Sequence, residues 1–307
     1  MATSALSIGR IPTLRIRHVS LGRVLALTTL GLLLLVTLFP FWWVLRTALS
    51  SQREALATTN SLAPVGITLI NFERVLGLVS TAAAQAAGGS GQNLQFLLYL
   101  RNSVIMAVLV VAGQLFFSSL AAYAFARLEF PLRDKVFALY LSALMVPGIV
   151  TLIPNFLLIR SLGWENTFAG IVAPYFLMSP FAVFFLRQFF LGINRELEEA
   201  AKLDGASIFG TDWRIVLPIA APAVTTLGIL TFIATWNDYL WPFLIGKDDN
   251  VRVLTAALAI FRSQTPQGAP DWTGLMAATL VSMLPTLLLF GVLGRKTIDS
   301  IQFSGIK

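Results

Sequence analysis

Six stretches of this chain stay apolar for about 20 residues or more, and that repetition constrains everything else it can fold into. They run over 24–45, 97–126, 136–158, 168–190, 218–245 and 273–294. About 20 apolar residues in a helix cross the hydrocarbon of a bilayer. In lipid the backbone must satisfy its own hydrogen bonds, which a helix does within one segment. Charged residues make up 12% of the chain, against about 25% in a soluble domain, and mean hydropathy is +0.78. The chain therefore reads as an all-α membrane protein of six transmembrane helices in one bundle, rather than as two soluble domains.

The segments between the runs divide it further. Residues 1–23 form a tail with Arg10, Arg15, Arg17 and Arg23 and no acid. The run 24–45 is too long for a cleaved signal peptide and reads as a retained first helix, with Phe41, Trp42, Trp43 and Arg46 as its interfacial anchor. Residues 46–95 are too polar to span and form a loop, within which Thr81 to Gln92, rich in Ala, Gly, Ser and Gln, is expected to be flexible. A five-helix core follows over 96–294, interrupted by a polar loop at 191–217, and 295–307 is a second tail. The segments 1–23, 127–135, 187–217 and 294–307 hold 14 of the 22 Lys and Arg residues, so they and both termini are expected on the cytoplasmic side. Six of the seven tryptophans, Trp42, Trp43, Trp164, Trp236, Trp241 and Trp272, then fall near the outer face; Trp213 is inside.

Proline recurs within the runs, at Pro147, Pro154, Pro174, Pro180, Pro222, Pro242 and Pro285. Each removes a backbone donor and favours a kink. The second run carries Ser118, Ser119, Ala121, Ala122, Ala124 and Ala126, small residues suited to close helix contact. These features fit a transporter and also fit plain packing.

Several chemistries are excluded. The net charge of +7 is spread over the ends of apolar runs, where it sets topology and meets lipid headgroups, so no nucleic-acid partner is expected. There is no cysteine, and the single histidine, His18, lies in the basic tail, so no metal centre is expected. The Gly246-Lys247 pair lacks the earlier glycine and the hydroxyl residue of a phosphate-binding loop. No catalytic residues and no cofactor are assigned. The one acid inside a run is Asp238, in Trp236-Asn237-Asp238-Tyr239-Leu240-Trp241-Pro242. Intramembrane acids face protein or water. Trp236, Asn237, Asp238 and Tyr239 therefore stand as a candidate substrate pathway, or as part of the interfacial aromatic belt.

The polar loop carries the most specific pattern. Asn194 can cap a helix, Glu196, Glu198 and Glu199 favour its first turns, and Gly205 can end it. Leu197, Ala200 and Ala201 fall on one face, and Pro218 is placed to begin the next helix. The spacing Glu199-Ala200-Ala201, Gly205, Ile215, Leu217-Pro218 resembles the cytoplasmic-loop signature of ABC importer permeases. Asn102-Ser103, Tyr123-Ala124-Phe125-Ala126-Arg127, Leu152-Ile153-Pro154, Leu162-Gly163-Trp164-Glu165-Asn166-Thr167 and 236–242 resemble its carbohydrate branch, including the maltose-type second permease. Trp213 stands where that loop usually has Phe.

The resemblance implies a type I permease bundle in the cell membrane of a prokaryote, forming half of a translocation pathway for a sugar or oligosaccharide. It implies a second permease subunit, as a heterodimer, two ATP-binding subunits that hydrolyse ATP, and an extracytoplasmic solute-binding protein. Glu199, Ala200, Ala201, Asp204, Gly205 and Ala206 would form the coupling helix and its turn, seated on the ATPase. A non-sugar solute such as glycerol phosphate, or an ion-coupled secondary transporter, are the alternatives.

Overall fold

The computed structural model describes residues 21–58, 60–90, 94–262 and 268–302. The basic tail through Ser20 with His18, Gln92, and the last five residues lie outside the described residues. The chain forms two compact units, 1–44 and 45–307. In the first, the apolar run is the greater part of helix α1 (Leu21–Ala48), continuous through Pro40. Thr37 donates back to the Leu33 carbonyl at 2.8 Å.

The second unit opens with three short helices, α2 (Gln52–Ala57), α3 (Ile70–Val75) and α4 (Thr81–Ala86). Ser51 and Ser80 cap α2 and α4, accepting from Glu54 N and Ala83 N. The flexibility expected for 81–92 is not what forms over its described part. Ser80 starts a helix there, and Ser90 then donates from its N–H and Oγ to Asp271 at 2.9 and 3.1 Å. Asp271 is also ion-paired with buried Arg74. A Cβ on Gly89 would collide with that guanidinium, so the glycine is a packing choice rather than a linker residue. Gln52 donates to the Pro270 carbonyl at 3.0 Å, completing a polar lock on the start of the last helix.

Helix α5 (Phe96–Arg127) is the spine: 32 residues without a proline, about 48 Å long at 1.5 Å per residue. Near its start Asn102 donates to the Asp249 and Arg252 carbonyls at 3.0 and 2.9 Å, and Ser103 Oγ accepts from Leu254 N. The next runs are bent. α6 (Arg133–Ser142), with a short 3-10 turn to Met145, meets α7 (Gly148–Ser161) at 95°. Pro147 starts α7 and holds Val146 extended, so 136–158 is not one straight span as expected. α8 (Phe168–Phe176) and α9 (Pro180–Leu191) meet at 44°; Ser179 caps α9 and Pro180 takes its first position.

After the loop helix α10 (Arg195–Leu203) comes an arm made of α11 (Ile208–Thr211), a π-turn at Asp212–Val216 and α12 (Leu217–Ile219). The arm stands at 83° to α13 (Ala221–Trp236). Pro218 thus lies in the arm, and Pro222 is the proline that opens the long helix. The run 218–245 breaks again after Trp236, and α14 (Leu240–Ile245) resumes it. Pro242 has no N–H for the carbonyl four residues back. That carbonyl, of Asp238, accepts Thr255 Oγ1 at 2.7 Å instead. α15 (Leu254–Ala257) and α16 (Trp272–Gln302) complete the unit, with the α16 backbone continuing beyond the expected end at 294.

Among the described residues, three helices are long and apolar enough to cross a membrane, or six if each bent pair is one span. α5 packs against α8, α9 and α13, and α13 against α16. Lipid is as apolar as leucine, so close fit rather than burial drives these contacts. At Gly113 the fit leaves no room for a side chain: an added Cβ would strike the Phe176 carbonyl and ring.

Candidate functional site

The loop helix α10 is built by local chemistry. Asn194 Oδ1 accepts from Glu196 N at 3.1 Å, and Glu196 and Glu198 sit in the first turn. At the other end Gly205 adopts φ +82°, its N–H reaches the Lys202 carbonyl at 3.0 Å, and Ala206 N reaches Ala201 O at 2.9 Å. These two bonds form a complete Schellman cap. The face differs from the expected grouping of Leu197, Ala200 and Ala201. Glu198 and Ala201 point inward, while Leu197, Glu199, Ala200, Asp204 and Gly205 are exposed and Leu203 is 90% exposed. Ala206 is half-buried.

Glu198, which sequence reading used only as a helix-start residue, is the inward anchor. Its Oε1 lies 2.8 Å from Arg127 Nε, with the N–H not aimed along that line, and its Oε2 accepts from Tyr123 Oη at 3.1 Å. Arg127 Nη2 also donates to the carbonyls of Phe190 and Ile193, the latter at 2.6 Å, where α9 runs out. The detectable signal was Tyr123 and Arg127 at i, i+4 spacing, at the end of an otherwise apolar run. Asp212 lies on the π-turn, 1% exposed, and neither carboxylate oxygen has a hydrogen-bond partner among the described residues. Burial, with the Glu198 charge nearby, pushes its carboxyl up to about 7. Trp213 stacks on Phe209 and meets Phe116 edge-on, each with ring centroids 6.1 Å apart.

A cavity of about 570 Å3 opens among α5, α8, α9 and α13. Its polar lining is Gln114, Tyr175, Thr231, Thr235 and Asp238, with Phe181 as an aromatic wall. The Tyr175 hydroxyl and the Asp238 carboxyl, which precedes α14, face the same cavity. Of the four residues expected along a pathway, Asp238 is in this lining. Trp236 is buried elsewhere, its Nε1 donating to Ser282 O at 3.1 Å and its ring stacked on Phe232. Asn237 donates to its own helix at Ile233 O, and Tyr239 stacks on Phe243. Thr231, Thr235 and Asp238 stand at i, i+4, i+7, a helix-face pattern legible in the sequence; Gln114 is a lone amide in an apolar run. Tyr175 carries no such signal. Among the described residues no group of three or more His, Asp or Glu side chains could hold a metal ion. The cavity offers hydroxyls, an amide, a carboxyl and aromatic faces, and no Lys, Arg or His among the described residues.

A bent-helix membrane bundle, a capped amphipathic helix on the loop between two of its spans, and a polar cavity between its helices together define a multi-pass transport protein. The description "binding-protein-dependent transport system inner membrane component" matches residues 114–297, and the chain belongs to that family. It is 33% identical to the trehalose/maltose transport system permease protein MalG of Thermococcus litoralis over 92% of this chain and 96% of that one. It is 38% identical to the sn-glycerol-3-phosphate transport system permease protein UgpE of Pectobacterium atrosepticum over 65% of this chain and 71% of that one. Its fold matches a bacterial ABC transporter involved in import of the acidic polysaccharide alginate, with a TM-score of 0.74 at 22% identity, over 91% of this chain and 97% of that one.

Proposed function

We propose that this permease forms half of the translocation pathway of an ATP-driven sugar importer. It spans the membrane six times, once over each apolar run, with the loop 191–217 and both termini cytoplasmic. Its partners are a second permease, two ATP-hydrolysing subunits and an extracytoplasmic binding protein. The observation that carries the reading is α10: a helix capped at both ends by its own sequence, whose outward face of Glu199, Ala200, Leu203 and Asp204 is exposed, with no covering element among the described residues. Ala201, Gly205 and Ala206 hold its ending in shape. Such a helix suits a groove on a partner that does work, because a rigid element transmits displacement.

Sugar is favoured over glycerol phosphate by the cavity. Its one titratable acid is Asp238 and its described lining holds no cation, so an anion entering it meets no opposite charge. Hydroxyl-rich neutral solutes meet Tyr175, Gln114, Thr231 and Thr235 as hydrogen-bond partners and Phe181 as an apolar face. Transport measured in vesicles depleted of ATP, with an ion gradient maintained, tests the energy source. Uptake is expected to cease, and sustained uptake would replace this reading with an ion-coupled carrier. Asp238→Ala and Tyr175→Phe are expected to lower uptake while the complex still co-purifies.

A further inference from the structure

Two opposite charges are buried together where α5 ends, and stability is a poor reason for them. The Arg127 and Glu198 side chains are only 4% and 5% exposed, and an apolar pair of similar volume at such a place is as stable or more so. What the ions provide is a fixed register. Arg127 is the last residue of α5, grips the carbonyls at the end of α9, and pairs with the inward face of α10. Tyr123, one turn back on α5, holds the other oxygen of the same carboxylate. Three elements thus meet on one guanidinium.

On the C-terminal side α10 reaches the bundle through the Gly205 turn and the arm, which touches α5 at the Trp213 and Phe116 rings and then turns the 83° corner at Ala220, a route with several joints. Through Arg127 it reaches α5 and α9 directly. Those two helices carry Gln114 and Phe181 into the cavity, and Gln114 is about 20 Å along α5 from Arg127 at 1.5 Å per residue. We infer that Arg127 is a positioning residue that makes the loop helix, α5 and α9 move as one body, so that displacement of α10 reaches the cavity wall. This rests on the reading of α10 as the ATPase contact.

The native chain has no cysteine, so one introduced at Ala234, in the cavity lining, reports opening by its labelling rate with a membrane-impermeant maleimide. The assay uses the complex with cysteine-free partners in proteoliposomes, nucleotide-free and ATP-trapped. A coupling of ordinary size gives a ratio between the two rates of about 5–150. In Arg127→Met and Glu198→Gln the ATPase stays bound and hydrolyses ATP while the ratio collapses to one; Arg127→Lys restores part of it. A ratio unchanged in both neutral variants would overturn the inference. So would loss of the assembled complex in all three, which would make the pair a folding element. If Glu199→Arg on the outward face leaves the ATPase bound and the ratio intact, the reading of α10 itself fails, a result distinct from the other two.

Discussion

Gly205 allows a clean test of the turn that ends α10. Its φ of +82° lies in the left-handed region, and a Cβ built on it meets no atom within 4 Å. A side chain there therefore costs backbone conformation and nothing else. For an ordinary L-residue that cost is about 1–2 kcal/mol, a factor of about 5–30 in any equilibrium that needs the turn. Asn tolerates this region better than Ala, and a β-branched residue worse. The affinity of purified ATPase subunits for the permease complex in nanodiscs is expected to fall in the order Gly, Asn, Ala, Val, with Ala within that 5–30-fold window. Because the site is open, the thermal transition of the bundle stays unmoved across the series. An equal loss in all three variants, or wild-type affinity with Val, would refute the conformational argument.

Asp212 and Gly113 supply two further tests. The Asp212 carboxyl, raised to about 7 in the folded loop from an ordinary value near 3.8, stays protonated while its unfolded counterpart ionises. Stability of the loop therefore falls as pH rises from about 4 to 7, by at most about 4 kcal/mol, and stays low above. Asp212→Asn removes that dependence. Hydrogen exchange over 205–219 should slow from pH 8 to pH 5 in the native chain, after correction for intrinsic rates, and be flat in the variant; identical profiles would sink the assignment. Gly113→Ala favours helix by about 1 kcal/mol but drives a Cβ into the Phe176 carbonyl, where overpacking costs about 1–3 kcal/mol. The melting temperature in detergent should drop, and a rise would show that α8 can yield.

What could be read from the residues alone follows from the range of the forces involved. α10 was legible because Asn194 and Gly205 act within a turn of themselves. The apolar runs were legible because length and composition decide insertion. Their bends were not: Pro147, Pro180 and Pro222 begin helices, whereas Pro154, Pro174 and Pro285 sit inside them, and the same residue type serves both. The ion pair beneath α10 was hidden for a different reason. Tyr123 and Glu198 are 75 residues apart, and only the packing of α5 on α9 brings them together. Asp238 was visible as a lone intramembrane acid, while Tyr175, which lines the same cavity, belongs to another bent pair and left no trace.

The distribution of bends is itself mechanical. α5 runs 32 residues without a proline, fixed at its start by Asn102 and Ser103 to the segment 249–254 and at its end by Arg127 to α9 and α10. The three runs around it are each broken by 44° to 95° at a joint. A straight member among jointed ones carries displacement along its whole length, and the joints let its neighbours change angle without unfolding. Gln114 sits near the middle of that straight member and Asp238 at the break that follows α13. Movement of α5 against α13 would therefore change the distance between the cavity's amide and its carboxylate, and on the proposed pathway that is the distance through which α10 would act on a solute.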